Sequence, residues 1–442
     1  MLEKIFKLSQ LNTNVKKEFI GGSTTFMTMA YIIIVQPTVL SAAGMDFGAV
    51  LLATCLSSAA AIVIMGLYAN YPIALAPGMG QNFFFTYVVV LTLGVNWQKA
   101  LGVIFIAGLI FVVLSFFGLR ERIINAIPQS LKSAIAVGIG LMITLIGLEW
   151  GGLVVDHPTL LVALGDFGNP ATLLSLAGLV ITAILLVRKI PGAMLIGIVA
   201  TTLLGILCGL IPYKGIFSNP PSMQATFLKL DIVGALSFDL LTLILTFLIL
   251  DLFDTIGTLI GVASEAGLLK EGKLPRAEKA LFSDAIGTVI GASLGTSTIT
   301  SYVESAAGVA SGARSGLANF FTAFYFILAI FIYPLIQMIA GGIEIEKGIS
   351  LYPSIAPVLI LVGVYMIKSI STIPWDDLSE SIPAFITLVF IPFSFRITEG
   401  IALGFISYAL LKLFQGNVKE VPILVWLFAI IFLLRYIFFG ME

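Results

Sequence analysis

Three acidic side chains lie inside otherwise apolar stretches of this sequence. Asp251 and Asp254 are three positions apart, which places them on one face of a helix, and Glu304 follows a run of serines and threonines. A carboxyl group can accept hydrogen bonds from a bound molecule, and it can take up and release a proton. The spacing therefore predicts a polar site for a small ligand or an ion.

A proline and two glycines interrupt the apolar segment near residue 77. Pro77 removes a backbone donor, and Gly78 and Gly80 weaken a helix. The chain is therefore expected to run extended through Leu75 and to start a half-helix near Gly78. The Ser- and Thr-rich run before Glu304 predicts a second break. The predicted ligand-binding residues lie at these breaks or beside them: Asp254, Glu304, Asn82, Gly80, Gln81, Thr298, Ser301 and Phe83.

Each of these assignments has a structural alternative. Asp254 and Glu304 could pair with other groups to hold the fold, Asn82 could cap the half-helix, and the Phe83 ring could pack between helices. In the functional interpretation, the carboxyl groups, the amide and the free backbone N–H groups offer both acceptors and donors. Such a set fits a flat neutral heterocycle that has N–H and C=O groups on its edges. Asp254, Glu304 and Asp251 are also the predicted proton-coupling groups, since a buried carboxyl can alternate between neutral and charged forms.

The composition defines the surroundings of these groups. Hydrophobic residues make up 59% of the 442 residues, only 11% are charged, and the mean hydropathy is +1.10. A soluble chain carries about 25% charged residues, so the solvent of this chain is lipid. Placing an isolated carboxylate at the centre of a bilayer costs about 3 kcal/mol of free energy. Some interaction or function must therefore compensate for each of these acids.

Several classes of function are excluded by what the sequence lacks. The net charge is −1 and no basic run stands out, so nucleic acid is not an expected partner. There is no Gly-rich phosphate loop, no zinc-type Cys/His spacing and no nucleophile elbow. The sequence thus predicts neither an enzyme nor a resident metal or cofactor.

Apolar runs long enough to cross the hydrocarbon layer recur along the whole chain. Seven precede a polar loop at residues 213–231, seven follow it, and one more closes the sequence. The first seven are residues 20–43, 49–68, 73–93, 100–119, 131–148, 172–187 and 191–211. The others are residues 232–260, 280–294, 299–309, 317–339, 355–370, 382–395 and 400–414, and then 421–439, which is either an extra span or an interfacial helix.

The distribution of Lys and Arg predicts the orientation. Residues 1–18 are charged and amphipathic, as expected of a cytoplasmic interfacial segment. With the N-terminus inside, most basic clusters fall on the cytoplasmic side, as the positive-inside rule requires. These clusters lie at residues 4–17, 120–132, 188–189, 270–279 and 314.

The two halves of the chain resemble each other. Residues 39–44 resemble 262–267, 76–82 fall opposite 297–304, and 130–148 fall opposite 350–370. Because each copy has an odd number of spans, the second must enter the membrane from the other face. We therefore predict an all-α polytopic membrane protein of about 14 spans in two inverted repeats, residues 19–212 and 232–416, with residues 417–442 as an extra C-terminal segment. Spans three and ten are expected to be discontinuous and to carry short extended segments, which is typical of a secondary transporter.

Five motifs identify a family that the chain resembles, the adenine/guanine/hypoxanthine permease branch of the nucleobase/ascorbate transporter superfamily. They are GGSTTFMTMAYI at residues 21–32, APGMGQN at 76–82, LFDTIGTL at 252–259, TSTITSYVES at 296–305 and IPAF at 382–385. The resemblance implies a core domain of spans one to four and eight to eleven, with the other spans as a gate domain. It also implies proton-coupled purine uptake, with Glu304 and an acid of span eight contacting the base.

Some points stay open in the sequence. Either Asp251 or Asp254 could be the main ligand from span eight, and we favour Asp254 because it directly precedes the Thr255–Thr258 turn. The same fold could carry uracil or xanthine, and a channel without coupling is a further alternative. A homodimer through the gate spans is possible, although lipid contact favours the same apolar residues.

Overall fold

The computed structural model describes residues 2–116, 127–265, 268, 274–346 and 349–439. Fourteen apolar segments follow one another in it, in the predicted order. The first repeat holds Val15–Met29 with Ile32–Ala42, Phe47–Ile64 with Met65–Ala69, Leu75–Pro77 with Met79–Phe83 and Phe84–Thr92, Trp97–Phe116, Gln129–Trp150, Pro170–Val187 and Ala193–Leu207. The second holds Leu241–Glu265, Ala277–Leu294, Ile299–Ser301 with Ser305–Ala310, Leu317–Ala329 with Tyr333–Ala340, Ala356–Met366 with Ile367–Thr372, Leu378–Ser394 and Ile397–Phe414. We number these segments as spans one to fourteen.

The spans are joined by short elements. Two β-hairpins lie between spans, and short helices stand at both termini and before span eight. Their bounds are Leu2–Phe6, Val154–His157 with Leu161–Leu164, Ile232–Ala235, Phe238–Leu240, Ile343–Glu346 with Ile349–Leu351, Val418–Glu420 and Ile423–Phe439. Span eight begins at Leu241 and not at the predicted residue 232, because Asp231 caps a separate turn through a hydrogen bond from the Gly234 N–H.

Seven helices of the described residues are long and apolar enough to cross a membrane, and four shorter apolar helices accompany them. Broken spans three and ten are not among them because each is divided into short pieces. One segment of the predicted internal similarity, residues 262–267, extends beyond the described residues at its last two positions.

Side chains at the loop ends determine where several helices begin. Asp46 accepts a hydrogen bond from the Ala49 N–H at 2.8 Å, and Asn169 caps the helix that starts with Pro170. Asp377 caps span thirteen, where hydrogen bonds from Ser379 hold the pKa of the Asp377 carboxyl below its usual range. These capping residues are local signals and could be recognised in the sequence.

The chain divides into two compact units. The larger comprises residues 1–117 and 147–358, and the smaller comprises residues 118–146 and 359–442. The larger unit contains all the spans assigned to the core domain and also spans six and seven. Every predicted ligand-binding residue belongs to the larger unit.

Tight glycine contacts allow helices of the larger unit to cross closely. A side chain at position 66 would lie 2.6 Å from the carbonyl oxygen of Gly316, and one at position 21 would lie 2.8 Å from that of Gly308. Because a backbone carbonyl cannot move aside as a side chain can, these positions require glycine. The glycine content therefore serves helix packing.

The smaller unit has its own apolar core and its own charge network. Spans thirteen and fourteen pack together, and the helix Ile423–Phe439 covers span fourteen through Phe428 and Phe432 around Phe405. One cluster of buried core residues in this unit comprises Ala134, Val137, Ile373, Ala384 and Leu388. A polar cavity of about 640 Å³ opens beside them and includes Ser130, Lys132 and Glu380 in its lining.

Lys412 is the central cation of this network. Its Nζ atom lies 3.2 Å from Glu380, 3.6 Å from Glu420 and 3.8 Å from Asp377, and its side chain is only 6% exposed. Removing one member of a buried ion pair leaves an uncompensated charge behind. Lys412→Met is therefore expected to destabilise the protein by about 1–2 kcal/mol, less than for a fully buried pair because Asp377 and Glu420 are partly exposed.

Thermal melting of the purified protein in detergent measures this effect. Lys419→Met is the matched control, because Lys419 is exposed on the neighbouring Val418–Glu420 turn. We expect a clearly lower melting temperature for Lys412→Met and an unchanged one for the control. Equal melting temperatures of the two variants would contradict the assigned role of Lys412.

Candidate functional site

The two broken spans meet as a short pair of strands. Leu75–Pro77 pairs antiparallel with Ile299–Ser301, with Ala76 opposite Thr300. The Gly78 N–H extends this pairing through a hydrogen bond to the backbone oxygen of Thr298 at 2.9 Å. Non-helical backbone is tolerated at membrane depth when it is buried in protein or lines a cavity, and here the two breaks satisfy each other. Both predicted breaks are confirmed.

Sterics and one tyrosine fix the geometry of this strand pair. A side chain at position 78 would lie 2.8 Å from the methyl group of Thr300, so glycine is needed where the strand gives way to the half-helix. The half-helix starts at Met79, as predicted. Tyr302 donates its hydroxyl to the Pro77 carbonyl at 2.5 Å and its N–H to the Ala74 carbonyl at 2.9 Å. The two spans therefore hold each other at their breaks.

Asp254 and Glu304 lie beside this strand pair, and each is held by one side chain of the other repeat. The Tyr31 hydroxyl donates to Glu304 Oε1 at 2.5 Å, and Gln81 Nε2 donates to Asp254 Oδ2 at 3.1 Å. The two carboxyl groups interact electrostatically with each other and with Tyr302. Both are half-buried, whereas Tyr31 and Gln81 are buried. The structure thus brings together the two acids that the sequence singled out.

Asp251 has different neighbours from Asp254. Thr255 Oγ1 lies 2.9 Å from both carboxyl oxygens of Asp284, 3.0 Å from Thr300 Oγ1 and 3.4 Å from Asp251 Oδ1. All four side chains are buried. Two carboxyl groups therefore converge on one hydroxyl, which also contacts Thr300 of the strand Ile299–Ser301.

Asn82 is linked through Gln36 of span one to the segment that leads into span ten. Asn82 Nδ2 donates to Gln36 Oε1 at 2.7 Å, and Gln36 Nε2 donates to Thr296 Oγ1 at 2.9 Å and to Ser297 Oγ at 2.8 Å. All of these side chains are fully buried. The half-helix cap in span three is Gly78, whereas Asn82 lies inside that helix, so the capping alternative for Asn82 is wrong.

Several buried polar atoms at the breaks have no hydrogen-bond partner among the described residues. They are the side-chain oxygens of Gln81, Asn82, Thr298 and Ser301. Leaving a buried polar atom unsatisfied costs about 1–3 kcal/mol, so native proteins rarely do so without a functional reason. A polar ligand that binds between the two broken spans would satisfy these atoms.

Phe83 and Gly80 complete the predicted set. Phe83 is fully buried, its ring stacks on Tyr87 at 5.8 Å, and it meets the edge of Trp150 at 6.3 Å. These contacts agree with the packing alternative for Phe83. Gly80 is buried in the first turn of the half-helix Met79–Phe83.

Four residues of this region were not predicted as site residues: Tyr31, Gln36, Asp284 and Tyr302. The rule that selected Asp254 also applies to Asp284, which is an acid in a mainly apolar stretch of span nine. The roles of Gln36 and the two tyrosines could not be read from the sequence, because neutral side chains inside membrane helices are common. Among the described residues, no group of three or more His, Cys, Asp or Glu side chains could hold a metal ion.

Comparison with known proteins connects this geometry to a family. The model of the Permease family, Xan_ur_permease, matches residues 16–403. The putative permease MJ0326 of Methanocaldococcus jannaschii is 51% identical over 439 residues, which cover 99% of this chain and 98% of the relative. The adenine permease AdeP of Escherichia coli is 44% identical, with 99% and 96% covered. The guanine/hypoxanthine permease PbuG of Bacillus subtilis is also 44% identical, with 99% and 100% covered.

A solved structure with the same architecture is the transmembrane domain of the cyanobacterial bicarbonate transporter BicA. Its TM-score is 0.65 at 17% identity, and the match covers 88% of this chain and 97% of that domain. At this identity the similarity shows the fold alone. It confirms the predicted fold of two inverted repeats with core and gate domains, and so a multi-pass membrane protein.

Proposed function

Since the chain belongs to the Permease family, we propose that it imports purine nucleobases across the cytoplasmic membrane by proton-coupled secondary transport. The relatives from E. coli and B. subtilis are named as permeases for adenine and for guanine and hypoxanthine, and they match over nearly the full length of the chain. This supports adenine, guanine or hypoxanthine as cargo in preference to uracil, xanthine or an inorganic ion. A transporter of this family needs no catalytic residue.

The observation that carries the proposal is the set of polar atoms at the two breaks that have no hydrogen-bond partner among the described residues. A purine is flat and bears N–H donors and ring-nitrogen acceptors on its edge. Asp254, Glu304 and the free oxygens of Gln81 and Asn82 can accept from such donors. The hydroxyls of Thr298 and Ser301 can donate to ring nitrogens. Binding of the base would therefore satisfy atoms that the protein alone leaves open.

The acids also provide the means for proton coupling. Neighbouring carboxylates repel each other when both are charged, so one proton shared by Asp254 and Glu304 would remove that repulsion. A carrier that binds base and proton together and releases them together uses the proton gradient to accumulate the base. Asp251 is the third proposed coupling group, through its neighbours Thr255 and Asp284.

Uptake into proteoliposomes tests both parts of the proposal. We expect accumulation of radiolabelled adenine, guanine or hypoxanthine when the outside is made acidic, because protons then move inward. With one proton per base, a gradient of one pH unit supports up to about tenfold accumulation. A protonophore should abolish accumulation and leave exchange of labelled for unlabelled base intact.

The possible outcomes separate the alternatives. Accumulation that survives the protonophore but depends on Na⁺ would remove the proton from the mechanism. Failure of unlabelled base inside the vesicles to drive counterflow would indicate a channel. Strong competition by uracil and none by purines would overturn the proposed cargo.

The topology and the assembly are also proposals. The distribution of basic residues supports a cytoplasmic N-terminus, with residues 19–212 and 232–416 as the two repeats. Residues 423–439 form a helix whose outer face is apolar and exposed, including Ile423, Leu427 and Ile430, which supports contact with lipid. The homodimer stays a prediction from the sequence.

A further inference from the structure

Gln36 is the point at which the two broken spans are joined by side chains. It lies in span one, between Tyr31 and the end of that helix, and it is fully buried. Its carbonyl oxygen accepts from Asn82 of span three, while its amide nitrogen donates to Thr296 and Ser297, which lead into span ten. A primary amide has two N–H donors, and both are used here.

These contacts determine how Asn82 is turned. Because Asn82 uses its Nδ2 atom to reach Gln36 at 2.7 Å, its Oδ1 atom points elsewhere and has no partner among the described residues. Rotating the Asn82 amide by half a turn would set two carbonyl oxygens against each other. As long as Gln36 keeps its own orientation, the Oδ1 atom of Asn82 therefore stays available as an acceptor.

The side chain next to Asn82 is arranged in the same way. Gln81 donates its Nε2 atom to Asp254 at 3.1 Å, and its Oε1 atom is buried and unpartnered. Two consecutive amides of span three thus each donate one hydrogen bond to the protein, while their oxygens have no partner among the described residues. Together with Asp254 and Glu304, they make the site rich in acceptors.

We propose that Gln36 is a positioning residue that holds the Asn82 carbonyl oxygen ready to accept from an exocyclic amino group of the transported base. An amino group is the matching chemistry, since it has two N–H donors. The inference deepens the proposed function and rests on it. It predicts that a base with an amino group binds better than the same ring without one.

Two pairs of bases test this directly, because each differs by one amino group: adenine against purine, and guanine against hypoxanthine. The readout is inhibition of radiolabelled adenine or guanine uptake by each unlabelled base. We expect the wild type to prefer the amino-bearing member of both pairs. Gln36→Leu should reduce that preference about tenfold, as expected for loss of one buried hydrogen bond of about 1.4 kcal/mol, while inhibition by purine changes little.

Gln36→Glu is the conservative variant. A neutral carboxyl group keeps an oxygen for Asn82 Nδ2, and its other oxygen can meet the hydroxyls of Thr296 and Ser297. It should therefore retain most of the preference that Gln36→Leu loses. Thr38→Val is the matched control, since Thr38 lies in the same helix and its hydroxyl donates to the backbone oxygen of Ile34.

If Gln36 had only a structural role, Gln36→Leu would weaken the binding of all bases alike. The ratio of inhibition within each pair of bases would then be unchanged, and this would overturn the inference. If Gln36→Leu is not recovered as a folded protein, Asn82→Leu removes the same acceptor, and an unchanged ratio there would overturn it equally. Wild-type protein that transports no purine would remove the proposed function itself. Wild-type transport with an unchanged ratio in the variants would remove only the role of Gln36.

Discussion

Replacing Glu304 with Gln is expected to lower purine uptake about 100-fold at substrate concentrations below saturation. A glutamine has the same shape and can still accept the hydrogen bond from Tyr31, which Glu304 receives at 2.5 Å. The glutamine lacks the negative charge and cannot exchange a proton. A hydrogen bond to a charged group contributes about 1.5–3 kcal/mol, which corresponds to roughly 10- to 100-fold, and loss of coupling adds to it. Initial rates of radiolabelled base uptake in proteoliposomes measure the effect.

Glu399 provides a matched control for this substitution. Like Glu304 it accepts a hydrogen bond from a tyrosine, here Tyr436, but Glu399 is buried and belongs to the smaller unit and not to the site. Glu399→Gln should retain uptake within about a factor of three of the wild type, since glutamine keeps the size of the side chain and an oxygen that can accept from Tyr436, and the position lies outside the site. Uptake by Glu304→Gln at the level of this control would refute the role of Glu304.

Asp254→Asn is expected to have a comparable effect, again about 100-fold, through a different partner. The side-chain oxygen of the asparagine can still accept from Gln81, so the contact that Asp254 makes at 3.1 Å is kept and only the charge is lost. The predicted signature is a raised KM for the base, because Asp254 accepts directly from it. Gln81→Leu should also raise the KM, and the double variant should be little worse than Asp254→Asn, since coupled neighbours are not additive.

Asp239→Asn is the control for span eight. Asp239 lies exposed just before the start of the same span, and its substitution should leave the KM unchanged.

Asp251→Asn addresses the question that the sequence left open. Asp251 faces Thr255 and Asp284, so we expect it to impair proton-driven accumulation more than the KM of the base. A KM effect confined to Asp251→Asn would reverse the assignment of the two aspartates.

Much of the fold could be predicted from the sequence because the forces that decide it are local. Apolar runs of membrane-spanning length define helices wherever they occur, and Pro77 with Gly78 stops a helix by sterics and by a missing donor. The Ser- and Thr-rich run before Glu304 acts in the same way through its own hydroxyls. The number of spans, the two breaks, and the acids Asp254 and Glu304 were therefore determined by the sequence alone.

Only the tertiary structure decided which groups meet across the breaks. Tyr31 and Glu304 are 273 positions apart, and Gln36 and Thr296 are 260 apart, so no local pattern connects them. The strand register, the orientation of the Asn82 amide and the convergence of Asp251 and Asp284 on Thr255 depend on helices from both repeats packing together. A buried polar side chain takes its partner from whatever the fold brings within about 3 Å, and that choice is made by packing and not by neighbours in the chain.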